Sequence, residues 1–347
     1  MSGVQTIQLG ADAFEQRLDR WLRKRYPHVG QGRIEKMCRK GEIRLDGGRV
    51  KASTRLAEGQ VLRLPPLPDG APPPPTPRTV PDGPDARLLQ EAVIYRDADI
   101  LALNKPPGLA VQGGSGQSRH IDGLSAALRF ELEQPPRLVH RLDKDTSGVL
   151  VMARTGRAAA ALARGFQTRH TKKTYWAAVA GVPRPAEGRM VTGLVKQAGH
   201  GPKGAGEKMV ALHPDAMDQA PDARRAVTDY QVLATAARRA AWFALRPGTG
   251  RTHQLRVHMA ELGHPIVGDG KYGTNRQTNE GDGWGAQLGG EISRKLHLHA
   301  RSLTVLHPVS GAALTLTAPL PSHMARTWET LGWDPADTPA DPFEARG

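Results

Sequence analysis

The sequence of 347 residues contains a single cysteine, Cys38, and aromatic residues make up only 5% of it. One cysteine excludes disulfide bonds within the chain and a zinc site built from cysteines, and it is typical of a reducing compartment. No apolar run approaches the roughly 18 residues that a membrane-spanning helix needs. The N-terminal residues lack the apolar core of a signal peptide. These absences predict a soluble, cytoplasmic protein with no membrane partner.

Acidic residues are scarce relative to basic ones. The chain has 34 Asp and Glu against 48 Lys and Arg, which gives a formal net charge of +14. Such an excess favours polyanionic partners, nucleic acid above all, with an anionic membrane surface as an alternative. Hydrophobic residues make up 39%, and the length suits two domains with sizeable cores.

A break in composition indicates where the domains meet. The stretch from Pro65 to Pro84 holds ten of the 28 prolines, and it cannot form a helix or a central strand because proline lacks the N–H donor. We therefore predict a linker there, and long surface loops in two Gly-rich polar insertions. The predicted ranges are a first domain 1–64, a linker 65–86, a second domain 87–330, a disordered tail 331–347, and insertions 197–208 and 273–290.

The first domain has a clear local pattern. Apolar residues recur at helical spacing in two segments, and Gly41 is placed to end the second helix. The stripes are Leu18, Trp21 and Leu22 in the first segment and Ile34, Met37 and Cys38 in the second. "EIRLDGGRVK" then predicts a hairpin with an Asp-Gly turn, and "QVLRL" predicts a further strand. Because Cys38 lies on the apolar stripe, we interpret it as a packing residue and not as a nucleophile.

The segments "QRLDRWL", "QGRIEKMCRKGEIRLDG" and "EGQVLRL" resemble the S4 RNA-binding domain over about fifty residues. The resemblance implies an RNA partner. A basic outer helix face beside a basic hairpin suits the backbone of A-form RNA, which proteins recognise by shape and phosphate contacts. The residues predicted to bind RNA are Arg17, Arg33, Lys36, Lys40 and Arg44.

Four segments follow the linker: "LALNKPPGLAVQGG", "VHRLDKDTSGVLVMART", "KKTYWAAVAG" and "RPGTGRTHQLRVHMAELGHPIVGDGKYG". Together they resemble the RluA-type family of RNA pseudouridine synthases from about Val93 to Pro319, and no one of them would suffice alone. The resemblance implies an α+β catalytic domain with a mixed, mostly antiparallel sheet and helices around a central cleft. We also expect a monomer that acts on RNA and not on DNA, and that needs no cofactor, because the implied reaction involves no net redox change and no group from outside.

The implied reaction breaks the N-glycosidic bond of uridine, turns the uracil over and joins C5 to C1′. A carboxylate serves this chemistry by attacking C1′ or by taking the C2′ proton, and the sequence leaves both routes open. The carboxylate must be ionised, which a nearby arginine favours. The uridine must also leave its stack, so the site needs a flat group to receive the base.

The resemblance assigns roles to individual residues. Asp143 in "HRLD" matches the catalytic aspartate, whereas Asp145 better suits a turn or cap ahead of Thr146 and Ser147. Arg141 is expected to hold the RNA or fill the gap left by the flipped base, with a surface salt bridge as the alternative.

Two further residues receive roles in the same way. Tyr175 matches the tyrosine that packs against the uracil, with a core aromatic as the alternative. Arg251 matches the basic residue that pairs with the aspartate, with a phosphate-binding arginine at a helix start as the alternative.

Histidines suggest a competing metal site. His253 and His258 are five residues apart, and His297 and His299 alternate on a predicted strand. The sequence contains no H-E-x-x-H motif and no cysteine pair, so we expect no metal and disfavour a zinc hydrolase.

Two classes of function remain. The first is an enzyme that isomerises uridine in structured RNA. Ribosomal RNA of the large subunit is the expected substrate, because an S4 domain joined to this catalytic domain most resembles those enzymes, and transfer RNA is the alternative. The second is a non-catalytic RNA-binding or ribosome assembly protein. The joint presence of Asp143, Tyr175 and Arg251 favours the enzyme.

Overall fold

The computed structural model describes residues 3–10, 13, 16–67, 83–113, 119–168, 170–197, 208–273, 292–339 and 341–344. The chain divides into two compact units, Met1–Thr79 and Val80–Gly347. Most of the predicted linker 65–86, and the two predicted insertions apart from their edges, lie outside the described residues. The last residues of the predicted linker begin a helix at Pro84.

The first unit combines two helices with a small antiparallel sheet. The helices are α1 (Leu18–Arg25) and α2 (Gln31–Lys40). The strands are β1 (Gln5–Gln8), β2 (Arg44–Leu45), β3 (Gly48–Arg49) and β4 (Val61–Leu64), in the order β1-β4-β2-β3. The predicted apolar stripes of both helices are buried in one core, and Gly41 ends α2 in the left-handed region at φ 71°. Cys38 lies in that core and burial raises its pKa to about 11, so its predicted packing role is confirmed.

The second unit contains a sheet of eleven strands. Its order is β11-β10-β12-β13-β9-β14-β8-β6-β5, with β15 beside β14 and β7 beside β8. The strands are β5 (Val93–Arg96), β6 (Ile100–Lys105), β7 (Arg137–Leu138), β8 (Ser147–Ala153), β9 (Lys172–Ala180), β10 (Glu187–Gln197), β11 (Lys208–Leu212), β12 (Arg224–Ala236), β13 (Ala240–Pro247), β14 (Leu298–Leu306) and β15 (Ala313–Thr317). β14 runs parallel to β8 and antiparallel to β9 and β15. The predicted α+β class with a mixed, mostly antiparallel sheet is confirmed.

Helices cover this sheet. They are α3 (Pro84–Glu91), α4 (Ile121–Leu124), α5 (Gly156–Gly165), α6 (Gln254–Glu261) and α7 (Ser322–Leu331), with 3₁₀ turns at Ser125–Leu128, Pro214–Gln219 and Pro335–Asp337. Trp328 of α7 packs edge-to-face on Trp242 of β13, with ring centroids 5.4 Å apart. Among the helices in the described part of the chain, none has the length and apolar character to cross a bilayer.

One glycine allows the central strands to meet. Every residue of β8 is buried, including the predicted strand Val149–Met152. Gly148 has φ +107°, and a Cβ atom there would lie 2.2 Å from the carbonyl oxygen of Ala300. Only glycine fits a backbone approach this close, so the Gly of "DTSG" is required where β8 meets β14.

The C-terminal segment differs from its prediction as a disordered tail over 331–347. Trp333 and Phe343 are buried, and the guanidinium of Arg246 lies 4.4 Å from the centroid of the Phe343 ring. Asp341 forms an ion pair with Arg246 and lies 3.6 Å from the ammonium of Lys172. Pro and Asp in this segment suggested disorder, but two aromatic side chains anchor its described residues on the second unit.

Candidate active site

A cavity of about 690 Å³ lies in the second unit. Its walls come from the loop after β6, the loop between β7 and β8, strand β9, and the turn that leads into α6. Arg141, Asp143, Tyr175 and Arg251 all line it, so the tertiary structure brings the four predicted site residues to one place. Asp145 is exposed and does not line it.

A buried lysine holds the loop that carries Asp143. The ammonium of Lys105 is fully buried and donates hydrogen bonds to the carbonyl oxygens of Pro106, Leu109 and Lys144, at 2.9, 2.8 and 2.8 Å. Burial lowers the pKa of Lys105 to about 7, and the charges of Asp145 and Asp143 oppose that shift. Because Lys144 directly follows Asp143, this contact fixes the backbone next to the predicted catalytic carboxylate.

Two neighbours of Asp143 anchor the same loop. Leu142 is buried in an apolar cluster with Leu109 and Leu150. The Nε2 atom of His140 accepts a hydrogen bond from the backbone N–H of Val151 at 2.8 Å. The loop is thereby tied to β8, while Asp143 remains half-buried at the cavity wall.

Tyr175 lies on β9 and packs against two apolar clusters of the second unit. Burial raises the pKa of Tyr175, and the negative charge of Asp143 raises it further. The phenol is therefore neutral at physiological pH. A neutral ring beside a carboxylate gives the cavity a flat apolar surface next to a charged group.

The pairing of Arg251 with Asp143 that the resemblance implied is not present. Arg251 is exposed, and its Nε donates to the carbonyl oxygen of Arg225 at 3.2 Å. Its backbone N–H donates to Oε1 of Gln254 at 3.1 Å, which fixes the turn ahead of α6. Arg251 borders the cavity, but its guanidinium is held toward β12.

Arg256, which sequence reasoning did not single out, is the buried cation of the site. Its Nε and Nη2 donate to the two carboxylate oxygens of Asp269 at 2.8 and 2.7 Å. Burial opposes its charge, but the hydrogen bonds and charge of Asp269, together with the charge of Asp143, raise the pKa of Arg256. Arg256, a cavity-lining cation whose pKa the charge of Asp143 raises, is therefore five residues beyond the predicted Arg251.

His253 introduces an unusual backbone conformation at the cavity wall. It precedes α6 in the left-handed region, with φ 53° and ψ 17°, which non-glycine residues seldom adopt. Its Nδ1 lies 2.8 Å from the hydroxyl of Tyr272. Burial lowers the pKa of His253, and the charge of Asp143 opposes that shift. Strained residues of this kind concentrate at functional sites.

The other histidines that suggested a metal are used inside the fold. Both ring nitrogens of His258 lie at hydrogen-bond distance from threonine hydroxyls, those of Thr192 and Thr228. His299 is bonded to Ser147 and to the carbonyl oxygen of Ala318. No group of three or more potential metal ligands occurs within the described ranges.

Local motifs contained the missed residues without distinguishing them. "GRTHQLR" carries both Arg251 and Arg256, and "GHPIVGD" carries Asp269. "LALNKPPG" carries Lys105. An arginine and an aspartate 13 residues apart form a pair only through the fold, so spacing alone offered no signal.

Comparisons with known proteins agree with this geometry. The family described as RNA pseudouridylate synthase matches residues 99–261. The chain is 34% identical over 327 residues to the ribosomal large subunit pseudouridine synthase C of Vibrio cholerae, with 92% of this chain and 95% of that protein covered. It is 32% identical to the mitochondrial RNA pseudouridine synthase 4 of Arabidopsis thaliana, with 95% and 82% covered.

A solved structure supports the same assignment. Human RNA pseudouridylate synthase domain containing 4 is 32% identical, and it superposes with a TM-score of 0.57 over 71% of this chain and 95% of that one. A 34% identical relative that spans nearly the whole chain leaves one conclusion. The chain belongs to the RNA pseudouridine synthase family and is an enzyme that isomerises uridine in RNA.

Proposed function

We propose that Asp143 carries out the isomerisation, as nucleophile at C1′ or as the base that takes the C2′ proton. The observation that carries this proposal is that Asp143 is the one carboxylate among the described residues that line the cavity. Its charge acts on both Tyr175 and Arg256. Tyr175 then receives the flipped uracil on its neutral ring, and Arg256 supplies positive charge beside the carboxylate.

Arg141 and Arg251 are assigned to the RNA. Both line the cavity and are exposed, which suits contact with phosphates or with the gap left by the flipped base. For Arg251 this is the alternative that the sequence left open, and its bond to the carbonyl oxygen of Arg225 supports it over pairing with Asp143.

We propose ribosomal RNA of the large subunit as the substrate. Relatives from Vibrio cholerae and Escherichia coli carry the name ribosomal large subunit pseudouridine synthase C, and the latter is 33% identical with 94% of this chain and 97% of that protein covered. Transfer RNA is the competing substrate. We also propose that the protein is a monomer located in the cytoplasm.

We further propose that the first unit is an S4-like RNA-binding domain. Arg33 and Lys36 are exposed on α2, and Lys40 lies near Glu42 with 57% of its side chain exposed. Arg44 donates to the carbonyl oxygen of Gly47 in the hairpin. Three more cations, Arg20, Arg23 and Lys24, line a surface depression of about 560 Å³ on α1.

Arg17 lines the same depression as those three cations. It contributes less free charge than predicted, because its guanidinium donates hydrogen bonds to the carboxylate of Asp19 at 2.6 and 3.1 Å.

Replacing Arg33, Lys36 and Lys40 together tests whether the first unit binds RNA. RNA binding should weaken and its salt dependence flatten by roughly one unit of slope per lost phosphate contact. The rate at saturating RNA should stay the same.

Mapping pseudouridine in ribosomal and transfer RNA, from cells with and without this protein, tests the substrate. Loss of pseudouridine from large-subunit ribosomal RNA supports the proposal, and loss only from transfer RNA replaces it with the competing substrate.

Release of tritium from 5-tritiated uridine in substrate RNA tests the role of Asp143. Asp143→Asn should reduce release to background, whereas the exposed Asp145→Asn should retain most activity. The reverse pattern would refute the assignment of Asp143.

A further inference from the structure

Lys173 is a cation in the candidate active site to which no role has been assigned so far. It lies on β9 two residues before Tyr175, so both side chains are on the same face of the strand, roughly 7 Å apart along it. Both line the same cavity. Lys173 is half-buried, and burial lowers the pKa of its ammonium.

The charge of Lys173 has no carboxylate partner among the described residues. Burial is the sole cause that shifts the pKa of Lys173, and no acidic side chain raises it. Arg256, by contrast, lines the same cavity and is bound by Asp269. A partly buried ammonium without an anion is costly, so this position suits an anion that a ligand supplies.

The two rings that lie beside Lys173, those of Phe166 and His140, carry no charge. Its Nζ lies 5.1 Å from the centroid of the Phe166 ring, which packs on the His140 ring at 4.5 Å. Burial and the positive charge of Lys173 lower the pKa of His140 to about 3, so that imidazole carries no charge. The Phe166 ring offsets only a small part of the cost of the buried charge. It holds the ammonium in place without neutralising it.

The substrate supplies one kind of anion. Uracil and ribose are neutral, and the negative charge of RNA is on its phosphates. Charged residues that line the cavity are mostly cations, and they are Arg141, Asp143, Lys144, Lys173, Arg251 and Arg256. A strand that delivers its uridine to Tyr175 must carry its adjacent phosphates past this wall, and Lys173 is the next inward-facing position on β9.

We propose that Lys173 binds a backbone phosphate of the RNA strand that carries the target uridine. This role rests on the chain being an RNA uridine isomerase, and it holds whether the substrate is ribosomal or transfer RNA. Lys173 thereby positions the flipped nucleotide by a contact to its backbone and does not take part in bond breaking.

The test uses Lys173→Met, which keeps the apolar stem and removes the charge, and Lys173→Arg, which keeps the charge. Lys172→Met is the matched control, because Lys172 is the neighbouring lysine and is exposed on the other face of β9. RNA containing the mapped uridine is titrated at several salt concentrations, in an Asp143→Asn background that prevents turnover. Lys173→Met should bind about tenfold more weakly and lose roughly 0.7 units of salt slope, as one single-strand phosphate contact predicts.

The RNA affinity of Lys173→Arg should lie within about threefold of that of the parent protein. Lys172→Met should have the same RNA affinity and the same salt slope as the parent protein. With Asp143 restored, the rate of Lys173→Met at saturating RNA should return to within about threefold of the parent rate. A salt slope unchanged by Lys173→Met, or one changed equally by Lys172→Met, would overturn the proposal.

A second measurement identifies the phosphate. Neutral methylphosphonate groups replace, one at a time, the phosphates on either side of the target uridine. One replacement should weaken binding to the protein with Lys173 and have no further effect on Lys173→Met. Purely additive losses at every position would also overturn the proposal. If Lys173→Met does not fold, as judged by urea unfolding, Lys173→Gln takes its place in both measurements.

Discussion

The guanidinium of Arg256 and the carboxylate of Asp269 form a bidentate ion pair, and both side chains are at least nine-tenths buried. Oδ1 of Asp269 also accepts hydrogen bonds from the backbone N–H groups of Lys271 and Tyr272, at 2.9 and 3.1 Å. Asp269 therefore fixes the side chain of Arg256 and also the backbone of the two residues Lys271 and Tyr272. Because the charge of Asp143 acts on Arg256, the pair links the fold of this segment to the candidate catalytic carboxylate.

Asp269→Asn should destabilise the protein by roughly 3–5 kcal/mol, because it leaves the guanidinium of Arg256 buried without its anion. Urea unfolding measures the loss. Asp229→Asn is the control, since Asp229 pairs with an arginine whose side chain is 66% exposed. An exposed pair contributes about 1 kcal/mol or less. Equal losses in the two variants would contradict the importance given to burial.

Arg251→Ala and Arg256→Gln should separate RNA binding from chemistry. Arg251 is exposed and bonded to a backbone carbonyl, so its loss should weaken RNA binding and leave the single-turnover rate at saturating RNA within about threefold. Arg256→Gln removes the buried cation near Asp143 and should lower that rate by at least about a hundredfold. A rate loss confined to Arg251→Ala would restore the pairing that the sequence suggested.

Stability should fall as the pH drops below the ordinary histidine pKa. Burial lowers the pKa of His297 to about 3 and of His258 and His299 to about 4. Between about pH 6.5 and its pKa in the folded protein, each of these histidines binds a proton in the unfolded chain but not in the folded chain. Lowering the pH through this range therefore stabilises the unfolded chain relative to the folded one. Stability is therefore complete above about pH 6.5 and is lost as the pH falls toward 4.

Urea unfolding at pH 8, 7, 6 and 5 measures this loss, which approaches about 1.4 kcal/mol per pH unit for each such histidine. His299→Asn should reduce the slope by close to one proton, because it removes a group that titrates only on unfolding. His213→Asn is the control, since the His213 side chain is 74% exposed beside Asp215. An identical pH slope in both variants would show that His299 is not held neutral.

Gly148→Ala should destabilise the second unit by roughly 3–5 kcal/mol, because its methyl group meets the carbonyl oxygen of Ala300 at a φ that alanine rarely adopts. Gly165→Ala is the matched control. Gly165 is the last residue of α5, and a Cβ atom there meets nothing within 4 Å. The control should be neutral or slightly stabilising. Thermal unfolding distinguishes the two, and comparable midpoints would refute the close approach of β8 to β14.

The sequence alone determined the features that depend on near neighbours. Apolar residues at helical spacing placed α1 and α2, and an uninterrupted apolar run placed the buried strand Val149–Met152. Local steric rules also identified Gly41 as a helix end. The "HRLD" motif located Asp143, because its resemblance to a family lies in consecutive residues.

Only the tertiary structure identified the partners of these residues. Arg251 and Arg256 are both arginines in one short motif, and the burial of Arg256 against Asp269 distinguishes them. Lys105 reaches the loop of Asp143 from 39 positions away, and Phe343 covers Arg246 from almost the end of the chain. Contacts between distant segments form when the strands assemble into the sheet, and no local periodicity encodes them. The partner of each of these charged side chains was therefore decided by which distant segments pack together and bury it.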